Sequence, residues 1–381
     1  VHIILAPDSY KDALTAREAV NAMVAGIRRA LPTAQWDACP MGDGGEGTLD
    51  ALVVSTGAQR RYQTVQDALG RACRAEWGWH PATRTAYIEL AEACGLQQLA
   101  PHERTALNSS THGVGELILA ALDAGAERLL LMLGGSATND AGAGMLQALG
   151  ARLLDDQGRP LPPGGMALLN LARLDLDGLD PRLADVVVET AVDVDNPLLG
   201  ERGASAVFGP QKGASKEDVA RLDAALAHFA DKVTETQGGD YRDLPGSGAA
   251  GGMGFAARTF LGAALRPGIE LVMAQVGFRQ RLEQADLVIT GEGRLDGQSL
   301  AGKTPIGIAR CARDAGVPVV VLAGSLGDGW QLAYHEGVTA AFALASGPMD
   351  LQEALERCAE LLTDRTESIV RLLDSVPAHS P

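Results

Sequence analysis

At 381 residues, 46% of them hydrophobic, the chain is long enough for two domains of ordinary size and a large buried core. A formal net charge of −16 with no basic run excludes a sequence-independent nucleic-acid binder, which needs Lys and Arg against phosphates. A locally positive site for a small anion stays open. No stretch approaches the roughly 20 apolar residues of a membrane span. Cys39, Cys73, Cys94, Cys311 and Cys358 have no CxxC spacing, and the chain begins in a strand-like segment rather than a leader. A cytoplasmic protein with reduced thiols is expected.

In chain order, Val1–Ala6 reads as a short apolar strand and Thr15 with Glu18 as a capping box opening a helix that Pro32 ends. Between them lies Pro7-Asp8-Ser9-Tyr10-Lys11-Asp12. It sets Asp8, Ser9 and Lys11 at the carboxyl end of a strand, the edge where open α/β sheets bind ligands. A second strand, Gln35–Pro40, runs into Met41-Gly42-Asp43-Gly44-Gly45-Glu46-Gly47-Thr48. Glycines there let the backbone approach a ligand. Asp43 is suited to Mg²⁺ or to a hydroxyl proton, and Glu46 to a ligand or to the next helix start. After Gly57 three alternating runs, Arg60–Gln66, Arg71–Trp79 and Arg84–Leu90, predict an antiparallel meander.

The strand Arg128–Leu133 leads into Gly134-Gly135-Ser136-Ala137-Thr138-Asn139-Asp140 and a helix expected over 139–149. Amides at that helix start, with Ser136 and Thr138, predict an anion site; Asn139 or Asp140 could instead be the cap. Asp193 and Asn196 follow another strand, as a base, metal ligand or Asx-turn before Pro197. Gly246–Gly254 suits close packing or phosphate contact equally. Strands and helices alternate again to the C-terminus, which predicts a parallel sheet. The segment Thr290–Thr304 carries Gly291, Glu292, Arg294, Asp296, Ser299 and Lys303. Its end, Gly297–Thr304, matches GxxxxGKT. Six residues separate it from the strand, so a differently shaped phosphate loop using Lys303 is expected. Of 32 basic residues only five are lysines, and Lys11, Lys212 and Lys303 sit in loop-like segments, as phosphate partners or merely solvated. HExxH, GxSxG and a GxGxxG after the first strand are all missing, which counts against zinc hydrolysis, a serine elbow and a nicotinamide oxidoreductase.

In sequence order, PDSYK (Pro7–Lys11), PMGDGGEGT (Pro40–Thr48), GVGEL (Gly113–Leu117) and GGSATNDAGAGML (Gly134–Leu146) come first. DVDNPLLGERGA (Asp193–Ala204), FGPQKGA (Phe208–Ala214), PGSGAAGGMG (Pro245–Gly254) and TGEGRLDGQSLAGKTP (Thr290–Pro305) follow. Together they resemble the bacterial glycerate kinase family, class I, of the glycerate 2-kinase type. Tyr10, Asp12, Gly42 and Val192 depart from the family's usual residues without removing a candidate acid, base or phosphate donor. The resemblance implies a flavodoxin-like parallel-sheet domain from both chain ends and an inserted mixed α/β domain, with a cleft between them. The boundaries read from the sequence are 1–60 plus 284–381, and 61–283. It also implies ATP, Mg²⁺ and D-glycerate, with 2-phospho-D-glycerate as product. A 3-phosphoglycerate product or another small hydroxy acid is the alternative, and a homodimer stays open. In that scheme Asp43 or Asp193 takes the hydroxyl proton or holds Mg²⁺, and Lys11 and Lys303 neutralise phosphates. The Gly44–Gly45 and Gly134–Ser136 backbones hold anionic oxygens, and Arg294 clamps the substrate carboxylate.

Overall fold

Strands β1 (His2–Leu5) and β2 (Gln35–Ala38) open the chain. Strands β3 (Gln59–Gln66), β4 (Ala72–His80), β5 (Thr85–Glu89) and β6 (Arg128–Met132) follow. A short pair, β7 (Arg152–Leu154) and β8 (Arg173–Asp175), precedes β9 (Val187–Ala191) and β10 (Ala264–Arg266). The last three are β11 (Leu287–Leu295), β12 (Val319–Leu326) and β13 (Ala340–Ala343). This computed structural model describes residues 1–375. The chain divides into two compact units, one of residues 1–43, 50–57 and 269 onward, the other of 44–49 and 58–268. No described helix is long and apolar enough to cross a membrane.

The first unit is built on an all-parallel sheet of order β13-β12-β11-β1-β2. Read from the other edge this is the flavodoxin-like order 2-1-3-4-5, in which the chain reverses its direction of growth between β1 and β11. Ile3, Ile4 and Leu5 are all fully buried, as a central parallel strand covered on both faces requires. Helix Ala16–Ala30 begins at the expected capping box, with Thr15 and Glu18 bonded reciprocally. Its Met23 and Ile27 join Ile289, Leu322, Leu362 and Val370 in the core, each such side chain contributing roughly 1.5–3 kcal/mol on burial. The long C-terminal helix Cys358–Ser375 lies along it, and Thr363 Oγ1 donates to the Ala22 carbonyl at 3.0 Å.

The second unit holds a six-stranded sheet of order β10-β9-β6-β5-β4-β3. The meander β3-β4-β5 is antiparallel, as the alternating runs predict, while β5, β6, β9 and β10 are mutually parallel. Two expectations change, and one open alternative is narrowed. The helix expected over 139–149 is only Ala143–Ala148. Strand β11 runs on to Leu295 because it keeps pairing with β12 as far as Leu326. Gly246–Gly254 is used for close packing: Gly251 has φ +65°, and a Cβ there would lie 2.1 Å from the Thr138 carbonyl oxygen.

Candidate active site

The reversal point between β1 and β11 is where a doubly wound sheet presents its ligand crevice, and in the first unit the acids collect there. Asp8 N–H donates to the Gly291 carbonyl at 2.9 Å, which sets the turn after β1 beside β11. The Asp8 carboxylate accepts from Ser9 N–H at 2.6 Å and from Thr304 Oγ1 at 2.5 Å. Burial, the charge of Asp43 and then that of Glu292 push its pKa up, although both hydrogen bonds pull it down. Glu292 accepts from Ser299 Oγ at 2.8 Å and is raised to about 7, by burial first, with Lys303 opposing and Asp43 adding to the rise. The charge of Asp43 thus bears on both Asp8 and Glu292, with the exposed Lys303 near Glu292.

These three acids suit a hard divalent cation with oxygen ligands. Among the described residues no three His, Cys, Asp or Glu side chains converge as a ready-made cage. Mg²⁺ at phosphoryl-transfer sites needs only one or two carboxylates, the rest being phosphate and water. On that chemistry the residues fit.

The Gly297–Thr304 segment is not a P-loop. Its amides are turned inward: Gly297 N–H to Asp328 O, Gln298 N–H to the Asp296 carboxylate, Ser299 N–H to Asp296 O, and both Gly302 and Lys303 N–H to Ser299 O. These five amides are therefore not free to cradle phosphates. Lys303 instead stands at the N-cap of helix Thr304–Asp314. Arg294, expected to clamp a carboxylate, is paired with Asp296 at 2.9 Å. Lys11 is exposed, and Tyr10 is anchored by its hydroxyl to the Leu322 carbonyl at 2.7 Å.

In the second unit a different set gathers at the carboxyl ends of β5, β6 and β9. Glu89, at the end of β5, accepts from Gly47 N–H and Leu49 N–H, each at 3.0 Å. Gly134, following β6, donates to the Gly44 carbonyl at 3.2 Å, and a Cβ on it would lie 2.5 Å from Gly45 Cα. The glycines are therefore needed for backbone-to-backbone approach. Beyond β9, Asp193 accepts from Gly268 N–H at 2.9 Å. Glu46 is exposed, and its charge adds to the raised pKa of Glu89. Asn196 shapes its own loop, donating to the Arg202 carbonyl at 2.7 Å.

The expected anion site at the helix start is already filled by the protein. Asp140, fully buried, accepts from Thr111 N–H and Oγ1 at 2.8 and 2.9 Å, and from Gly142 and Gly144 N–H at 3.1 Å. Thr138 and Asn139 are fully buried as well, and Asn139 donates to Ser205 Oγ at 2.9 Å. Their side chains belong to the interior; Ser136 is buried too, at 7% exposed, and the open part of this loop is the half-buried Gly134 and the exposed Gly135. Lys212 is not a solvated loop lysine: it is 1% exposed, with Nζ donating to Ser136 Oγ at 2.8 Å and to the Thr138 carbonyl at 2.6 Å.

Sequence reasoning missed Glu89, Thr304 and the inward role of Asp140. Glu89 ends a strand in a run that reads only as alternating, so nothing local separates it from a surface glutamate. Thr304 is the last residue of the GxxxxGKT match and was open to notice.

The profile of the Glycerate kinase family matches residues 3–374. A protein named glycerate 2-kinase from Escherichia coli (strain K12) is 43% identical over 371 residues, covering 97% of this chain and 97% of its own. A glycerate kinase from Bacillus subtilis (strain 168) is 48% identical over 360 residues, covering 94% of each. The crystal structure of a protein assigned as glycerate kinase 2 from Salmonella typhimurium LT2 superposes with a TM-score of 0.89 at 44% identity, covering 98% of both chains.

Proposed function

The chain belongs to the glycerate kinase family, and on that premise we propose that it transfers the γ-phosphoryl group of ATP to D-glycerate, giving 2-phospho-D-glycerate. The observation that carries the reading is the group of Asp8, Asp43 and Glu292 at the reversal point of the parallel sheet. Like charges held together there suit the metal-bound polyphosphate of ATP. In this reading the discontinuous unit and the inserted unit are the enzyme's two domains.

Phosphoryl transfer leaves little covalent work to the protein, so the residues position and neutralise. Mg²⁺, when bound, supplies charge neutralisation for the phosphates. Asp43 is assigned to holding it, because Asp43 sits among the other two acids. Lys303 and Lys11 are assigned to phosphate oxygens as point charges. Asp193, oriented by Gly268 N–H, is assigned to receive the proton of the glycerate hydroxyl. The Gly134–Ser136 turn takes anionic oxygens. Arg294, held to Asp296 through Nε, keeps its terminal nitrogens for a substrate carboxylate.

The test is ADP release from ATP and Mg²⁺ with D-glycerate, against L-glycerate and no acceptor, with enolase added to report 2-phosphoglycerate. Glycerate-dependent ADP with an enolase signal is expected. ADP without that signal points to the 3-position, and no glycerate-dependent ADP from folded protein removes the reading. Asp43→Asn is expected to raise the Mg²⁺ concentration needed for half-maximal turnover. Asp193→Asn is expected to cut kcat by roughly 100-fold or more with ATP affinity kept.

A further inference from the structure

Lys212 comes from the short turn Pro210–Lys212 and is buried beneath the loop that follows β6. An ammonium is costly to bury, by several kcal/mol, unless a carboxylate pairs with it. Among the described residues no carboxylate stands within ion-pair distance of Nζ; the charge is met only by a hydroxyl and a carbonyl. An aliphatic side chain would fill the same space without that cost. An ammonium also has donors and no acceptor. In the 2.8 Å contact Ser136 Oγ must therefore accept, and its own O–H is left to donate elsewhere. Among the described residues that hydroxyl has no second side-chain or backbone partner. Ser136 is itself 7% exposed and lies beside the exposed Gly135, in a turn whose other end, Gly134, touches the Gly44–Gly45 backbone.

We propose that Lys212 is a positioning residue for the kinase reaction: from beneath the Gly134–Ser136 turn it fixes Ser136 as an outward hydrogen-bond donor and gives the turn a positive charge, so that the turn takes an anionic oxygen of a substrate. The inference rests on the kinase reading and names the ligand chemistry of one of its parts. The oxygen belongs either to the carboxylate of glycerate or to a phosphoryl group of ATP, and the experiment separates them.

The experiment is a double-mutant cycle of Lys212→Met and Ser136→Ala. It is read as Kd for ATP, Kd for D-glycerate, and kcat, with urea unfolding as control. Each single change is expected to weaken one ligand, or lower kcat, by about tenfold, the worth of one hydrogen bond to a charged group. The double variant is expected to be no worse than the poorer single one. Loss confined to D-glycerate assigns the carboxylate; loss confined to ATP or to kcat assigns the phosphoryl group. Multiplying effects, or a Ser136→Ala variant within twofold of wild type in every parameter, overturns the proposal.

A second arm needs no Lys212 variant and decides the matter if that variant does not fold. Burial pulls the Lys212 pKa down to about 8, while Cys94 and Asp140, the groups facing it, pull it up. Arg104 contributes its backbone carbonyl beside Gly213 on the same side. Once Lys212 loses its proton the amine can accept, and the Ser136 hydroxyl is free to turn inward. Wild-type affinity for the ligand is expected to fall about tenfold between pH 7 and 9, and that of Ser136→Ala to stay flat. A flat wild-type profile, or a parallel fall in both, overturns the proposal. Absence of turnover in the wild type removes the kinase reading instead, and the cycle is then still read in ATP binding.

Discussion

Glu89 is 2% exposed and spends both carboxylate oxygens on backbone N–H groups of the loop that follows Asp43. In Glu89→Gln one of those N–H groups would face an amide NH2. Stability is expected to fall by about 1–3 kcal/mol in urea unfolding, with kcat lowered because the glycine loop is no longer held. The pH dependence has a definite sign. Burial raises Glu89 from 4.5 to about 7, against the two hydrogen bonds that lower it. The folded protein therefore keeps a proton that the unfolded chain has lost over that interval. Stability from this group is full below about pH 4.5 and declines as pH rises through 7. Urea midpoints of wild type and Glu89→Gln should converge from pH 5 to 7.5; a gap that widens would contradict the assignment. None of this was legible beforehand, because a strand-terminal glutamate looks the same whether it meets water or backbone.

Among the elements, those resting on local rules were readable: the capping box at Thr15, the largely apolar β1 and the alternating meander all formed as their patterns dictate. What failed depended on partners far along the chain. The helix expected from Asn139 starts at Ala143 because Asp140 turns inward to Thr111 and to the amides ahead of it. The GxxxxGKT match, set apart from a P-loop already by its distance from the strand, spends its amides on the Asp296 carboxylate, on carbonyls within a 3-10 turn and on Asp328. Lys212 is buried by a loop whose Ser136 lies 76 residues earlier, a distance no spacing rule sees. The close approach of Gly134 to Gly45 gives a prediction for the loop as a unit. Gly134→Ala should push the Gly44–Leu49 segment away and lower kcat/KM at least tenfold, with the fold intact by circular dichroism. Gly251→Ala, strained at φ +65° and blocked by Thr138, should instead unfold at markedly lower urea.

For the whole molecule, ligands that bind only the folded state raise its stability by about 2.7 kcal/mol at 100 times Kd. Mg²⁺ with ATP should raise the thermal midpoint more than ATP with chelator does. Asp43→Asn should erase that difference; an unchanged difference would take Asp43 out of cation binding. The central strand pair has a further consequence for how the protein is made. Ile3 pairs with Leu287, and the helix that covers β1 rests on the last helix of the chain. At about 5–20 residues per second on the ribosome, β1 waits roughly 15–60 s for β11 to be synthesised. Meanwhile the inserted unit, contiguous from residue 58 to 268, emerges whole and can fold. Residues 1–43 and 50–57 are thus made before the inserted unit and completed after it. The apolar face of helix Ala16–Ala30 stays uncovered until the C-terminal helix that packs on it has been made.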